Sequence, residues 1–191
     1  MRDTLLRRGL RLEYATLGWN VVGVAVLALA AIQSGSAAAA GFGLDSAIEI
    51  GASLVVVWEL TGAPAARQRH ALRLIGVAFL LVATYLLVDA VVVVAGGHHP
   101  GVTLLGLAWT AATCVVMLTL ARHKDRVGRA IENPVLRAES RVTLVDAALA
   151  AVVVVGLTLN AAAGWWWADP LAVLVIVGYA LREARLALTA R

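Results

Sequence analysis

Six stretches of about twenty residues, near 13–33, 40–61, 72–95, 101–121, 137–162 and 168–188, carry few charged side chains. As a helix, each is long enough to cross the roughly 30 Å hydrocarbon layer of a bilayer. A soluble domain of 191 residues must cover its core with polar groups. A chain that is 61% hydrophobic and 15% charged, with a mean hydropathy of +0.86, has too few of them. The sequence therefore predicts an all-α membrane protein of six transmembrane helices, one domain over 1–191 with no soluble domain. The first apolar run follows an Arg-rich start and lacks a small-residue exit, so it reads as a retained span and not a cleaved leader.

Between the spans lie Gln33 to Ser36, Gly62-Ala63-Pro64, Gly96 to Gly101, the polar run Arg122 to Arg141, and Gly164 to Pro170. These segments read as loops. Asp169 and Pro170 suit the start of the sixth helix, as cap and first helical residue. Trp165, Trp166 and Trp167 read as an interfacial belt. Basic residues fall before helix 1 (Arg2, Arg7, Arg8, Arg11), around the second loop (Arg67, Arg69, Arg73), in the fourth (Arg122, Lys124, Arg126, Arg129, Arg137, Arg141) and at the end (Arg182, Arg185, Arg191). The alternate loops have none. Six crossings then place every Lys and Arg on one side, so both termini are expected in the cytoplasm of a multi-pass protein of a bacterial inner (plasma) membrane. The net charge of +4 is accounted for by topology and anionic lipid, without nucleic acid.

Acids inside spans are costly and usually face a cavity, a partner or a transport path. Asp45 and Glu49 lie in helix 2, Asp89 in helix 3 and Asp146 in helix 5, with Glu59 and Glu139 nearer the cytoplasmic ends. No Lys or Arg is evident at matching depth, so the acids are expected to form an unpaired negative cluster. Asp45 and Glu49 are four residues apart, which puts both carboxyls on one helix face about 6 Å apart. Two such groups in a low dielectric need a shared proton or a bridging cation, and that need couples proton loss to cation binding. A wet cavity or proton relay would use the same pair. Asp146 is the candidate third ligand, with Asn20, Thr143, Glu139 and Asp89 as auxiliaries. Three carboxylates around a divalent ion leave about one negative charge, which neutral oxygen ligands complement. Such a shell disfavours Cu(I) without choosing among Zn²⁺, Mn²⁺, Fe²⁺ and Co²⁺.

Other residues carry weaker signals. Cys114 stands alone in an apolar run, and His98-His99, His70 and His123 read as solvated or interfacial. Glu13 is expected to pair with Arg8 or Arg11 across the headgroups. No His-Glu-x-x-His or Gly-x-Ser-x-Gly motif is present and no histidine lies within a span, so an enzyme is not expected.

The runs Gly-Phe-Gly-Leu-Asp-Ser-Ala-Ile-Glu at 41–49, Arg-Ala-Glu-Ser-Arg-Val-Thr-Leu-Val-Asp at 137–146 and Gly-Trp-Trp-Trp-Ala-Asp-Pro at 164–170 resemble the transmembrane domain of cation diffusion facilitators. The resemblance implies a cation-efflux-type bundle, a homodimer, and proton-coupled export of Zn²⁺ or a similar divalent metal as transported substrate, with no cofactor. It also implies a central site with two acids four apart on helix 2, matching Asp45 and Glu49, and two ligands on helix 5. The second of these matches Asp146. The first falls on Val142, which cannot bind a metal, so the fourth ligand is unassigned. The family's usual cytoplasmic C-terminal domain is not seen, and a short, tail-less branch is expected. The alternative reading is a membrane subunit that binds metal or a partner helix without transport.

Overall fold

The computed structural model describes residues 2–34, 37–62, 64–96, 104–164 and 168–190. It contains α1 (Arg2–Ser34), α2 (Ala37–Leu60), α3 (Pro64–Gly96), α4 (Leu104–Ala130), α5 (Pro134–Ala163) and α6 (Ala168–Thr189), with no strand among the described residues. The six-helix count and order are those the apolar pattern predicts. Within the described residues, α3 alone offers a stretch long and apolar enough to cross a bilayer by composition, Arg67–Ala95, with a mean hydropathy of 2.6.

The helices run further than the apolar segments. α1 starts at Arg2, α3 at Pro64 and α5 at Pro134, while α4 continues to Ala130. Hydropathy marks where apolar solvent would end, whereas a helix ends where its backbone is broken. Arg, Glu, Lys and Ala continue a helix readily. The polar run Arg122–Arg141, expected as a loop, is therefore two helix ends joined by a three-residue turn. There Glu132 N–H donates to the Arg129 carbonyl at 3.2 Å and Asn133 N–H to the Gly128 carbonyl at 2.8 Å, the bond pair that closes a helix on a left-handed residue. Glu132 is that residue, with φ 55°. Asn133 then caps α5, its Oδ1 accepting from Leu136 N–H at 2.8 Å, and Pro134 occupies the first helical position.

α1 packs on α2 and α4, α5 lies between α4 and α6, and α3 pairs with α6. A Cβ at Gly9 of α1 would meet Leu136, Leu60 and Val127 at 3.3–3.7 Å. The start of α1, the end of α2 and the α4–α5 turn thus meet at one end of the bundle. Asn133 Nδ2 reinforces this end, donating to both carboxylate oxygens of Glu59 at 3.0 Å. In α3, Gly76 lies so close to Leu188 that a Cβ would stand 2.7 Å from its Cγ and 3.3 Å from its backbone nitrogen. Only glycine permits that approach, as helix pairs in apolar surroundings require.

The apolar core uses Ile75, Phe79, Val82 and Leu86 of α3, spaced four, three and four, against Ile176, Ala180 and Ala184 of α6 and Val142, Val145 and Leu149 of α5. The outward faces are also apolar. Val115 is 66% exposed, Val175 74%, and Val88, Val91 and Val92 line the outside of α3. A surface of this kind requires an apolar solvent.

The left-handed Glu132 carries a Cβ penalty that glycine lacks. Glu132→Gly is expected to stabilise the chain by about 0.5–1 kcal/mol, read as a higher unfolding midpoint in detergent micelles. A lower midpoint would show that the Glu132 side chain contributes more than its backbone costs.

Candidate cation site

Polar residues in α1, α2, α4 and α5 fall on stripes that face one another. α2 presents Asp45, Glu49 and Ser53 at four-residue spacing. α5 presents Glu139, Thr143 and Asp146, and α1 presents Glu13, Thr16 and Asn20, at helical spacings of three and four. All of these are buried except Asp146, which is partly exposed. α4 faces them with Thr110, Thr113 and Lys124.

The carboxyl of Asp146 lies within hydrogen-bonding reach of both Asp45 and Glu49, so α5 does bring its acid to the α2 pair. Both oxygens of Glu49 and Oδ2 of Asp146 are buried with no donor. Carboxyl oxygens in contact repel unless a proton or a cation stands between them. The three form a chain from Asp45 through Asp146 to Glu49. Among the described residues, no group of three or more His, Cys, Asp or Glu is arranged to hold a metal ion. Val142, one turn before Asp146, is 2% exposed and packs in the apolar core, so it leaves no donor at that position.

Neutral oxygens approach from the other side. A small cavity of about 20 Å³ beside Asp146, room for about one water, is lined by Asn20, Ser46, Thr110 and Thr113 and by the indoles of Trp19 and Trp109. The two rings stack at 4.7 Å between centroids, and Trp19 Nε1 donates to Thr113 Oγ1 at 3.2 Å. Asn20 Nδ2 donates to the Thr16 carbonyl at 3.1 Å, which fixes the amide at the cavity wall. Asp89, an expected auxiliary, is exposed on α3 and does not join the group. His98, His99, Trp165, Trp166 and Trp167 lie outside the described residues, as do the side chains of Asp169 and Pro170.

The expectation of unpaired acids is corrected at Glu139 and Glu13. Lys124, fully buried, donates to Glu139 Oε1 at 2.6 Å, Glu13 Oε2 at 3.1 Å and Thr143 Oγ1 at 3.2 Å. Glu13 therefore pairs with Lys124 of α4 and not with Arg8 or Arg11. Thr143 and Ser53 each donate to Glu139 Oε1 at 3.2 Å, so the auxiliaries Glu139 and Thr143 are already engaged. Lys124 escaped the sequence reading because it lies three residues beyond the apolar segment ending at 121, yet α4 continues and carries it inward. One signal was available: it is the only lysine in the chain, every other Lys or Arg position being arginine. Ser53 had a signal too, one turn from Glu49 on the same face.

Removing one member of a buried ion pair leaves the others uncompensated, at a cost of about 3–5 kcal/mol. Lys124→Ala should lower stability by about that amount, measured by SDS-induced unfolding in mixed micelles. Adding Glu139→Gln should recover part of the loss, because the two changes act on one interaction. Simple additivity of the two losses would show that the residues are not coupled.

The model of the cation efflux transmembrane domain matches residues 73–188. No curated protein matches the chain. The matched region runs from α3 to the end of α6 and contains Lys124, Glu139 and Asp146, while Asp45 and Glu49 lie outside it. With more than half of the chain matched, and with α5 of that region set against acids on α2, the protein belongs to the cation efflux family of membrane cation transporters.

Proposed function

We propose that the chain exports a divalent metal cation, Zn²⁺ or a similar ion such as Mn²⁺, Fe²⁺ or Co²⁺, from the cytoplasm by proton antiport with alternating access. The observation that carries this reading is the contact of Asp146 with both Asp45 and Glu49 across the α2–α5 interface. Three carboxyls held together in an apolar bundle retain protons when no cation is present, and release them when a divalent ion neutralises the group. One site then exchanges protons for metal without a separate proton path.

In this reading Asp45, Glu49 and Asp146 are the charged ligands. Val142 supplies no donor, so Asn20, Ser46 or a water in the adjoining cavity completes the shell, as suits a hard or borderline cation. The cavity stands on one flank of Asp146. The basic end, where Arg7, Arg67, Arg126 and Arg137 gather, faces the cytoplasm under the positive-inside rule. Both termini then share that side and the chain works as a homodimer in an inner membrane. A second reading, a subunit that binds metal without moving it, draws on the apolar Val142 and on the ion pairs that already fill the lower half of the polar column.

Flux in proteoliposomes tests this. Asp45→Asn and Asp146→Asn should each lower metal flux at least about tenfold, whereas Val142→Ala should leave it within about twofold, a volume change without loss of a donor. Wild-type flux in Asp146→Asn would overturn the site. Metal-dependent stabilisation of the wild type without any flux across a pH gradient would select the second reading.

A further inference from the structure

Lys124 is the only lysine in the chain, and it is held as a bound cation would be. Its ammonium touches one oxygen from each of α1 and α5 carboxylates, Glu13 Oε2 at 3.1 Å and Glu139 Oε1 at 2.6 Å, plus the Thr143 hydroxyl at 3.2 Å. The same carboxylates bring two more oxygens, Glu13 Oε1 and Glu139 Oε2, both buried and without a donor. Two carboxylates exceed one ammonium by a full negative charge. A divalent cation would neutralise the pair.

This cage is not isolated from the site above it. Ser53, which donates to Glu139, stands one turn from Glu49 on α2. Glu139 stands two turns from Asp146 on α5, toward the basic end of the bundle. Glu49 feels both sets, interacting with Asp146 on one side and with Lys124 and Glu139 on the other. Lysine suits a displaceable occupant, since it is a compact charge on a flexible four-carbon stem, where arginine is a rigid fork.

We propose that Glu13, Glu139 and Thr143 form a second cation position, between the basic end and the Asp45–Glu49–Asp146 site, which a divalent metal occupies in transit by displacing the Lys124 ammonium. The proposal rests on the transport reading, because it supplies the step by which metal reaches the upper site.

A single lysine makes the exchange directly readable. The full chain in detergent is treated with acetic anhydride with and without Mn²⁺, and acetylation of Lys124 is followed by mass spectrometry, with the N-terminal amine as internal reference. Saturating Mn²⁺ is expected to raise the Lys124 rate about tenfold or more, as the population shifts from caged to displaced ammonium. Lys124→Met, with no ammonium to displace, should take up its second Mn²⁺ at an about tenfold lower concentration than the wild type, and Glu13→Gln with Glu139→Gln in that background should abolish that second uptake. An unchanged Lys124 rate, in protein whose Mn²⁺ uptake is lost in Asp146→Asn, overturns the exchange and leaves the upper site standing. Asp146→Asn that takes up as many Mn²⁺ per chain as the wild type overturns the upper site instead, and the Lys124 rate still decides the exchange. The labelling uses the wild-type chain, so it stands where Lys124→Met fails to fold.

Discussion

The bundle depends on compensating charge inside a low-dielectric interior. Lys124 does this for α1 and α5, and its effect reaches further than its three contacts. Without the ammonium, Glu13 and Glu139 would face each other as buried like charges, together with Glu49 one turn above. Ion pairs of this kind add little net stability over a well-packed apolar core, but they are strongly unfavourable when half made. They therefore fix which helices meet. α4 must bring its inner face to α1 and α5, and the register of all three follows from one side chain.

The polar column has two halves that differ in how charge is balanced. In the half near the basic end, every acid has a protein partner: Lys124 for Glu13 and Glu139, and the Asn133 amide for Glu59. In the other half, Asp45, Glu49 and Asp146 have each other. Three acids linked through Asp146 are a demand for positive charge. The first half explains how the helices stay together. The second carries the proposed transport reading, since protons and metal ions are cations that would fit between carboxyl oxygens.

The helices and the acids were legible in the sequence because both depend on local pattern. Apolar runs fix helix number, and the i, i+4 spacing of Asp45 and Glu49 fixes a shared face whatever surrounds it. The helix ends were not legible from hydropathy, because Arg122 to Ala130 are polar and yet good helix formers, and only Glu132-Asn133-Pro134 interrupts them. Partner choice was harder still. Glu13 has Arg8 and Arg11 within a turn or so, and nothing local indicates that it turns inward to Lys124, more than a hundred residues away. That choice is made by α1 packing on α4, a tertiary fact.

Val142 is where pattern and packing bear on each other most directly. The resemblance to the family expects a donor at this position, and the side chain present belongs to the apolar core with Val145 and Leu149. A donor there would sit within the apolar cluster that joins α5 to residues of α3 and α6. The α5 face is thus divided, Asp146 turned toward α2 and the cavity, Val142 toward the core. With that face closed, further oxygen comes from the cavity, where Asn20 of α1, Ser46 of α2 and Thr113 of α4 form part of the lining. Neutral amide and hydroxyl oxygens are weaker ligands than a histidine, so in the proposed site a cation would be held by the charge of three carboxylates and only loosely by its fourth contact. Such a site would suit the proposed proton exchange, because an ion held mainly by protonatable groups leaves when protons arrive.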